Sequence, residues 1–195
     1  MSTLFVDFHG TICHDRFWRS LGSDSFGRVQ RALFEADPSL VNDWMRGKYS
    51  SEEINELVAE ITGLPFDRLW QTFMRDCKSM RISSDLLAEI TVLRKVCRVV
   101  LITDNMDCFD RFTLPALCLD TVFDGIANSS SEGCLKTDGD GETFIRYLTG
   151  DITDAVLVDD SRTSCEVFEK LGGIAYHVND TTPAIEHLKN LVASA

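Results

Sequence analysis

A chain of 195 residues, 44% hydrophobic and 26% charged, is long enough for one substantial core, or a core with a small accessory domain. Its 31 acidic and 19 basic residues leave a net charge of −12, a surface that repels nucleic acid and anionic membranes and suits the collection of a divalent cation. No apolar run reaches bilayer length, and MSTLFVDFHGTI lacks the basic region of a secretory leader, so a cytoplasmic protein is expected. The seven cysteines are odd in number, scattered and without a CxxC spacing, which points to reduced thiols in packing positions rather than disulfides or a zinc site.

In chain order, TLFVDF (3–8) reads as a short buried strand followed by a Gly-Thr turn. From about Asp15 to Ser83 the pattern is helical. GRVQRALFEA spaces Val29, Ala32, Leu33 and Ala36 as a stripe. SSEEINELVAEI opens with a capping box, Ser50 to Glu53, and puts Ile54, Leu57, Val58 and Ile61 on one face. Gly63 and Pro65 end it, and Phe66, Leu69, Trp70, Phe73, Met74 and Cys77 recur at helical spacing beyond. The aromatic stripes are expected to form the module's own core.

A Ser-capped helix follows, SSDLLAEITVLRKVC, with Leu86, Leu87, Ile90 and Leu93 on one face. Then come a strand RVVLIT (98–103), a strand TVFDGIANS (121–129), a helix GETFIRYL and a strand AVLVDD (155–160). A helix SRTSCEVFEKLGG stops at Gly172-Gly173, before a last strand GIAYHV (173–178). Strand alternating with helix predicts an α/β fold, a doubly wound parallel sheet with helices on both faces.

In such a sheet the crevice lies at the carboxyl ends of the strands. There the sequence places Asp7 and His9, Thr103, Lys136, and the pair Asp159-Asp160. Three Asp around one crevice call for a hard divalent cation, most naturally Mg²⁺. Lys136 adds a second positive charge, Thr103 can donate to a phosphate oxygen, and Asp7 is then free to act as a nucleophile on phosphorus.

Asp7-Phe8-His9-Gly10-Thr11, Thr103 in LITDN, Lys136 in SSSEGCLKTD and Asp159-Asp160 stand in the order and places of the four motifs of the haloacid dehalogenase (HAD) superfamily, which the chain resembles along its whole length. The resemblance implies a Rossmann-like core over 1–14 and 84–195 and a helical cap over 15–83. It makes Asp7 the nucleophile of an aspartyl-phosphate, and Thr103 and Lys136 binders of the phosphoryl group. It gives Mg²⁺ to Asp7, Asp159, Asp160 and the backbone carbonyl of His9. Thr11, Asp104 and Asn105 are further candidates for substrate contact, although Asp104 and Asn105 also fit the start of a helix. The implied activity is Mg²⁺-dependent hydrolysis of a small phosphorylated metabolite, with no nucleic-acid or membrane partner.

Position 9 departs from the pattern, which has Asp there. His9 can take over as general acid and base, with the nearby carboxylates favouring its protonated form. Alternatively the substrate needs no proton transfer, as in C–P or C–Cl hydrolysis, or the protein is catalytically weak or only binds a ligand. For a phosphonate reaction Lys48 is the cap lysine in position, and its plain reading is a solvated side chain. Ser161 reads as a helix N-cap, His14 as a surface or hinge residue near the cap linker, and DGDGE (138–142) as a turn. Ser164 stands where many relatives carry another acid.

Overall fold

The fold follows from which face each strand residue is given. In a computed structural model, described for residues 1–35 and 38–194, five strands form one parallel sheet. They are β1 (Thr3–Val6), β2 (Arg98–Thr103), β3 (Gly125–Asn128), β4 (Val156–Asp159) and β5 (Ile174–His177), in the order β3-β2-β1-β4-β5. Every residue of β1 is buried, as expected of the central strand of a two-sided sheet. Val6 pairs in register with Leu101 on one side and Val158 on the other, so the carboxyl ends of β1, β2 and β4 are level.

Alternate side chains go to opposite faces. Phe5, Val100, Ile102 and Leu157 pack with Phe144 of α9 (Glu142–Tyr147) and Phe168 of α10 (Arg162–Lys170), edge to face at 5.6 and 5.7 Å from Phe5. Leu4, Val6, Val99 and Leu101 pack on the other face with Ile90 of α5 (Ser84–Leu93) and Leu188 of α11 (Ala184–Ser194). The C-terminal helix α11 is not among the elements expected from the sequence. The third strand is shorter than expected, because α6 (Leu114–Leu117) and α7 (Leu119–Val122) occupy the chain just before Gly125.

Between β1 and α5 lie α1 (Ser23–Gln30), a π-helical turn Arg31–Glu35, α2 (Pro38–Met45), α3 (Ser51–Thr62) and α4 (Phe66–Lys78). Ala36 of the expected stripe lies outside the described residues. The Ser50–Glu53 capping box is formed, and Gly63 ends α3 in the left-handed conformation. The stripe of α3 is rotated from the expected one. Ile54 and Val58 are buried, whereas Ile61 is 57% exposed and Ser51, Asn55 and Thr62 face inward. Those polar groups are tolerated because each is satisfied: the Trp18 indole donates to Asn55 Oδ1 at 3.2 Å, and Thr62 donates to the Val58 carbonyl.

The inserted helices have no separate core. Phe17, Trp18, Trp44 and Phe73 belong to the same apolar cluster as Leu4, Val6 and Phe8 of the sheet side. Polar ties reinforce this. Asp107 accepts from Ser51 Oγ at 2.5 Å and from the Trp44 indole at 3.0 Å. Arg46 grips Asp138 with two bonds of 2.7 and 2.8 Å. Gly47, at φ +72°, passes so close to the Ser130 carbonyl that a Cβ would lie 2.4 Å from its oxygen. Ser130 belongs to α8 (Ser129–Glu132), the turn after β3.

Candidate active site

Asp7 follows β1, and its N–H donates to the Val158 carbonyl at 3.0 Å, extending the ladder by one residue. Asp159 ends β4. Lys136 arrives on the turn after α8, where its own N–H donates to Asp104 Oδ1 at 2.8 Å. Its Nζ then donates to Asp7 Oδ1 at 2.8 Å and to Asp159 Oδ2 at 2.5 Å, with all three side chains no more than 5% exposed. The charges are thus packed in pairs rather than left isolated.

Asp160 completes the group. Gly10 turns there at φ +91°, and a Cβ on it would lie 2.1 Å from Asp160 Oδ2, so only glycine lets the carboxylate in. Thr11 Oγ1 accepts the Asp160 N–H at 3.1 Å. One carboxylate oxygen from each of Asp7, Asp159 and Asp160 lies within 4.8 Å of the others. Burial pushes Asp7 above the usual carboxylate range, with Lys136 pulling the other way. It pushes Asp159 up to about 6, and raises Asp160 and Asp104 as well, Asp160 also through the charge of Asp159. Burial alone would lower Lys136, but the charges of Asp159, Asp7 and Asp104 outweigh it and hold the ammonium well above its ordinary value. Four carboxylates face one lysine, so the site carries surplus negative charge. Three hard oxygen donors converging in that surplus fit Mg²⁺.

These residues form the floor of a cavity of about 240 Å³. Among the expected residues, Asp7, His9, Asp104, Asn105, Lys136, Asp159 and Asp160 line it. Thr11 does not: its hydroxyl is engaged with Asp160, which makes it a holder of that carboxylate rather than a substrate contact. Thr103 is 1% exposed and also off the cavity wall, and its hydroxyl has no partner among the described residues, a costly state that a ligand oxygen could relieve. Asp104 is no helix cap but holds the Lys136 backbone, while Asn105 Oδ1 does accept from the next N–H, that of Met106, at 2.9 Å. Ser161 caps α10 by accepting from the Ser164 N–H. Lys48 is exposed and paired with Asp43, and His14 is exposed and outside the cavity.

His9 differs from expectation. Burial lowers its pKa to about 4, with the charges of Arg16 and His14 adding to the effect and Asp15 opposing it. The floor carboxylates do not hold it protonated, because the charges that act on it come from the segment just after β1. Its ring centroid stands 6.2 Å from that of Phe17.

The upper wall was not foreseen. Arg16, Phe17, Gln30, Phe34, Val41 and Met45 line it. None of its apolar members belongs to a stripe marked in the sequence, and nothing in a single sequence shows which helix residues close over a sheet end.

No protein-family model and no curated protein sequence matches the chain. Solved structures do. A predicted HAD-like family hydrolase from Porphyromonas gingivalis superposes with TM-score 0.75 at 21% identity, over 98% of both chains. A HAD family enzyme from Bacteroides thetaiotaomicron, in complex with magnesium and inorganic phosphate, gives TM-score 0.66 at 14% identity, over 92% of this chain and 94% of its own. The chain has the HAD-like fold. A 2-haloacid dehalogenase from Pseudomonas syringae shares that fold at TM-score 0.65 and 15% identity, over 100% of this chain and 99% of its own. The fold therefore accommodates more than one chemistry, and the activity of a chain with this fold must be argued from its site.

Proposed function

We propose that this HAD-like chain is a Mg²⁺-dependent hydrolase of a small phosphate monoester. The observation that carries the reading is the buried Asp7–Lys136–Asp159 arrangement with Asp160 beside it, four charges assembled with net negative excess at the end of a parallel sheet. Asp7, Asp159 and Asp160 would hold the ion with the His9 carbonyl, and bound Mg²⁺ would supply Lewis-acid stabilisation of phosphoryl oxygens.

The chain's own groups do the rest. Lys136 orients the phosphoryl group with Asn105 beside it, and a small shift of the wall would bring the buried Thr103 hydroxyl to the same group. An Asp7 carboxylate oxygen attacks phosphorus, the bond from phosphorus to the ester oxygen breaks, and the alcohol leaves with a proton from solvent. Neutral His9 accepts a proton from the water that attacks the aspartyl-phosphate, which frees Asp7 and inorganic phosphate. The inserted helices give the cavity its apolar wall through Phe34, Val41 and Met45.

Asp7→Asn should abolish phosphate release from a panel of esters assayed with Mg²⁺, and EDTA should do the same to the unaltered protein. Persisting release in Asp7→Asn sinks the nucleophile assignment. A carbon–halogen or phosphonate reading draws on His9 in place of a carboxylic acid. Release of chloride or aldehyde, with no ester cleaved, would favour it. Tight binding of one phosphorylated compound without turnover would make the protein a binding module.

A further inference from the structure

Arg16 lies on the wall of the cavity and its guanidinium pairs with no carboxylate among the described residues. This is unusual for its neighbourhood. Asp15 on one side is held by Arg81 at 3.0 Å, and Arg19 on the other donates to the Asp76 and Ser79 carbonyls at 2.8 Å each. Arg16 is exposed, so its guanidinium is open to a ligand in the cavity.

The backbone that carries Arg16 is rigid. Phe17 and Trp18 are buried, and Trp18 sits at φ +56°, a left-handed conformation that costs a non-glycine residue about 1–3 kcal/mol and persists only where its surroundings enforce it. Here they do: the Trp18 indole is hydrogen-bonded to Asn55, and Ser20 is bonded to buried Asp76 through both N–H and hydroxyl, at 2.8 and 2.6 Å. The backbone next to Arg16 is therefore held, while its own side chain is exposed.

The cavity has two cationic side chains, Lys136 and Arg16. Lys136 is bound to the floor carboxylates. The same cavity is lined by Phe17, Phe34, Val41 and Met45, with Gln30 the uncharged polar member, so these residues offer apolar contact and no charge. A guanidinium is matched to oxyanions by its planar donor geometry.

Resting on the phosphoryl reading above, we infer that the alcohol part of the substrate carries a second oxyanion, received by Arg16, joined to the phosphoryl end by a small apolar body that lies on the inserted helices. The substrate class is a phosphate monoester of a small hydroxy acid, or a bisphosphate, with an apolar middle.

The test is calorimetric, on the full chain with Mg²⁺, using phosphonates that cannot be hydrolysed as esters. Benzylphosphonate is compared with 4-carboxybenzylphosphonate and with 1,4-xylylenebis(phosphonate). At least one of the doubly anionic ligands should bind about tenfold more tightly or better, the scale of one good charge-assisted contact. The one that gains more names the oxyanion. In Arg16→Ala that preference should collapse to within about twofold, and Arg16→Lys should keep part of it, since lysine retains charge but not the planar fork. Equal affinities in the unaltered protein, or a preference that survives in Arg16→Ala, overturn the inference and leave the phosphoryl site standing. Binding of none of the three overturns both. Absence of phosphate release from any ester is separate, and bears on the activity alone.

Discussion

At the scale of single residues, the chemistry turns on an imidazole that is neutral at working pH. With a pKa of about 4, roughly one His9 in a thousand carries a proton at pH 7, which suits the proposed role of base and makes it a poor source of protons for a leaving alcohol. Esters whose alcohols leave without help should therefore be favoured. Wild-type protein is expected to cleave aryl phosphates far faster than alkyl phosphates, and His9→Asp should narrow that ratio by an order of magnitude or more, the usual worth of a positioned acid. A ratio unmoved by the substitution would remove residue 9 from the proton path. Beside it, Gly10 shows how strictly the floor is built, since even a methyl group there meets Asp160.

At the scale of elements, Asp107 fastens the inserted helices to the segment after β2. It takes the Ser51 N–H and hydroxyl, the Trp44 indole and Arg111, which also pairs with Glu52. Burial alone would raise its pKa, but these donors outweigh it and hold the carboxyl below its usual value, so it stays charged. Asp107→Ala leaves those donors without an acceptor, and urea unfolding should record a loss of about 1.5–3 kcal/mol. A loss below about 0.5 kcal/mol would mean that the apolar cluster alone holds the helices. This fastening was invisible in the sequence for a plain reason. Ser51 and Asp107 are 56 positions apart, and Arg46 and Asp138 are 92 apart. Periodicity and capping carry information over a few residues only. Asp7, Asp159 and Asp160 were legible because β-branched and apolar runs mark strand ends, and strand ends in a parallel sheet converge whatever the separation in sequence, whereas Lys136, on the turn after α8, was legible through the motif resemblance of SSSEGCLKTD. The same limit explains Arg16, which belongs to no periodic pattern, and the rotated face of α3, where buried polar residues broke the apolar stripe.

At the scale of the whole molecule, acidity and ion binding are linked. Asp159 is raised from 3.8 to about 6, so its contribution to stability is present below the lower value and is lost as pH rises through the higher. His9, lowered from 6.5 to about 4, has the opposite sign: its contribution is present above 6.5 and is lost as pH falls through 4. Above pH 6 Asp159 loses its proton and adds its charge to the floor, and a divalent cation should stabilise the protein more strongly there. The rise in Tm produced by Mg²⁺ is expected to be larger at pH 7.5 than at pH 5.5, where protons compete for the same oxygens. Equal shifts at both pH values would place the ion elsewhere. The shared apolar cluster has a different bearing. Phe17, Trp18, Trp44 and Phe73 face each other across ring distances of 4.7 to 6.4 Å and continue into the sheet side without a seam. Swinging the inserted helices away as a rigid jaw would wet that whole aromatic nucleus, at a cost set by its buried area. Roof and floor behave instead as one casting, so the chamber between them has a size decided at folding, and a molecule too large for it is refused by the core of the protein itself.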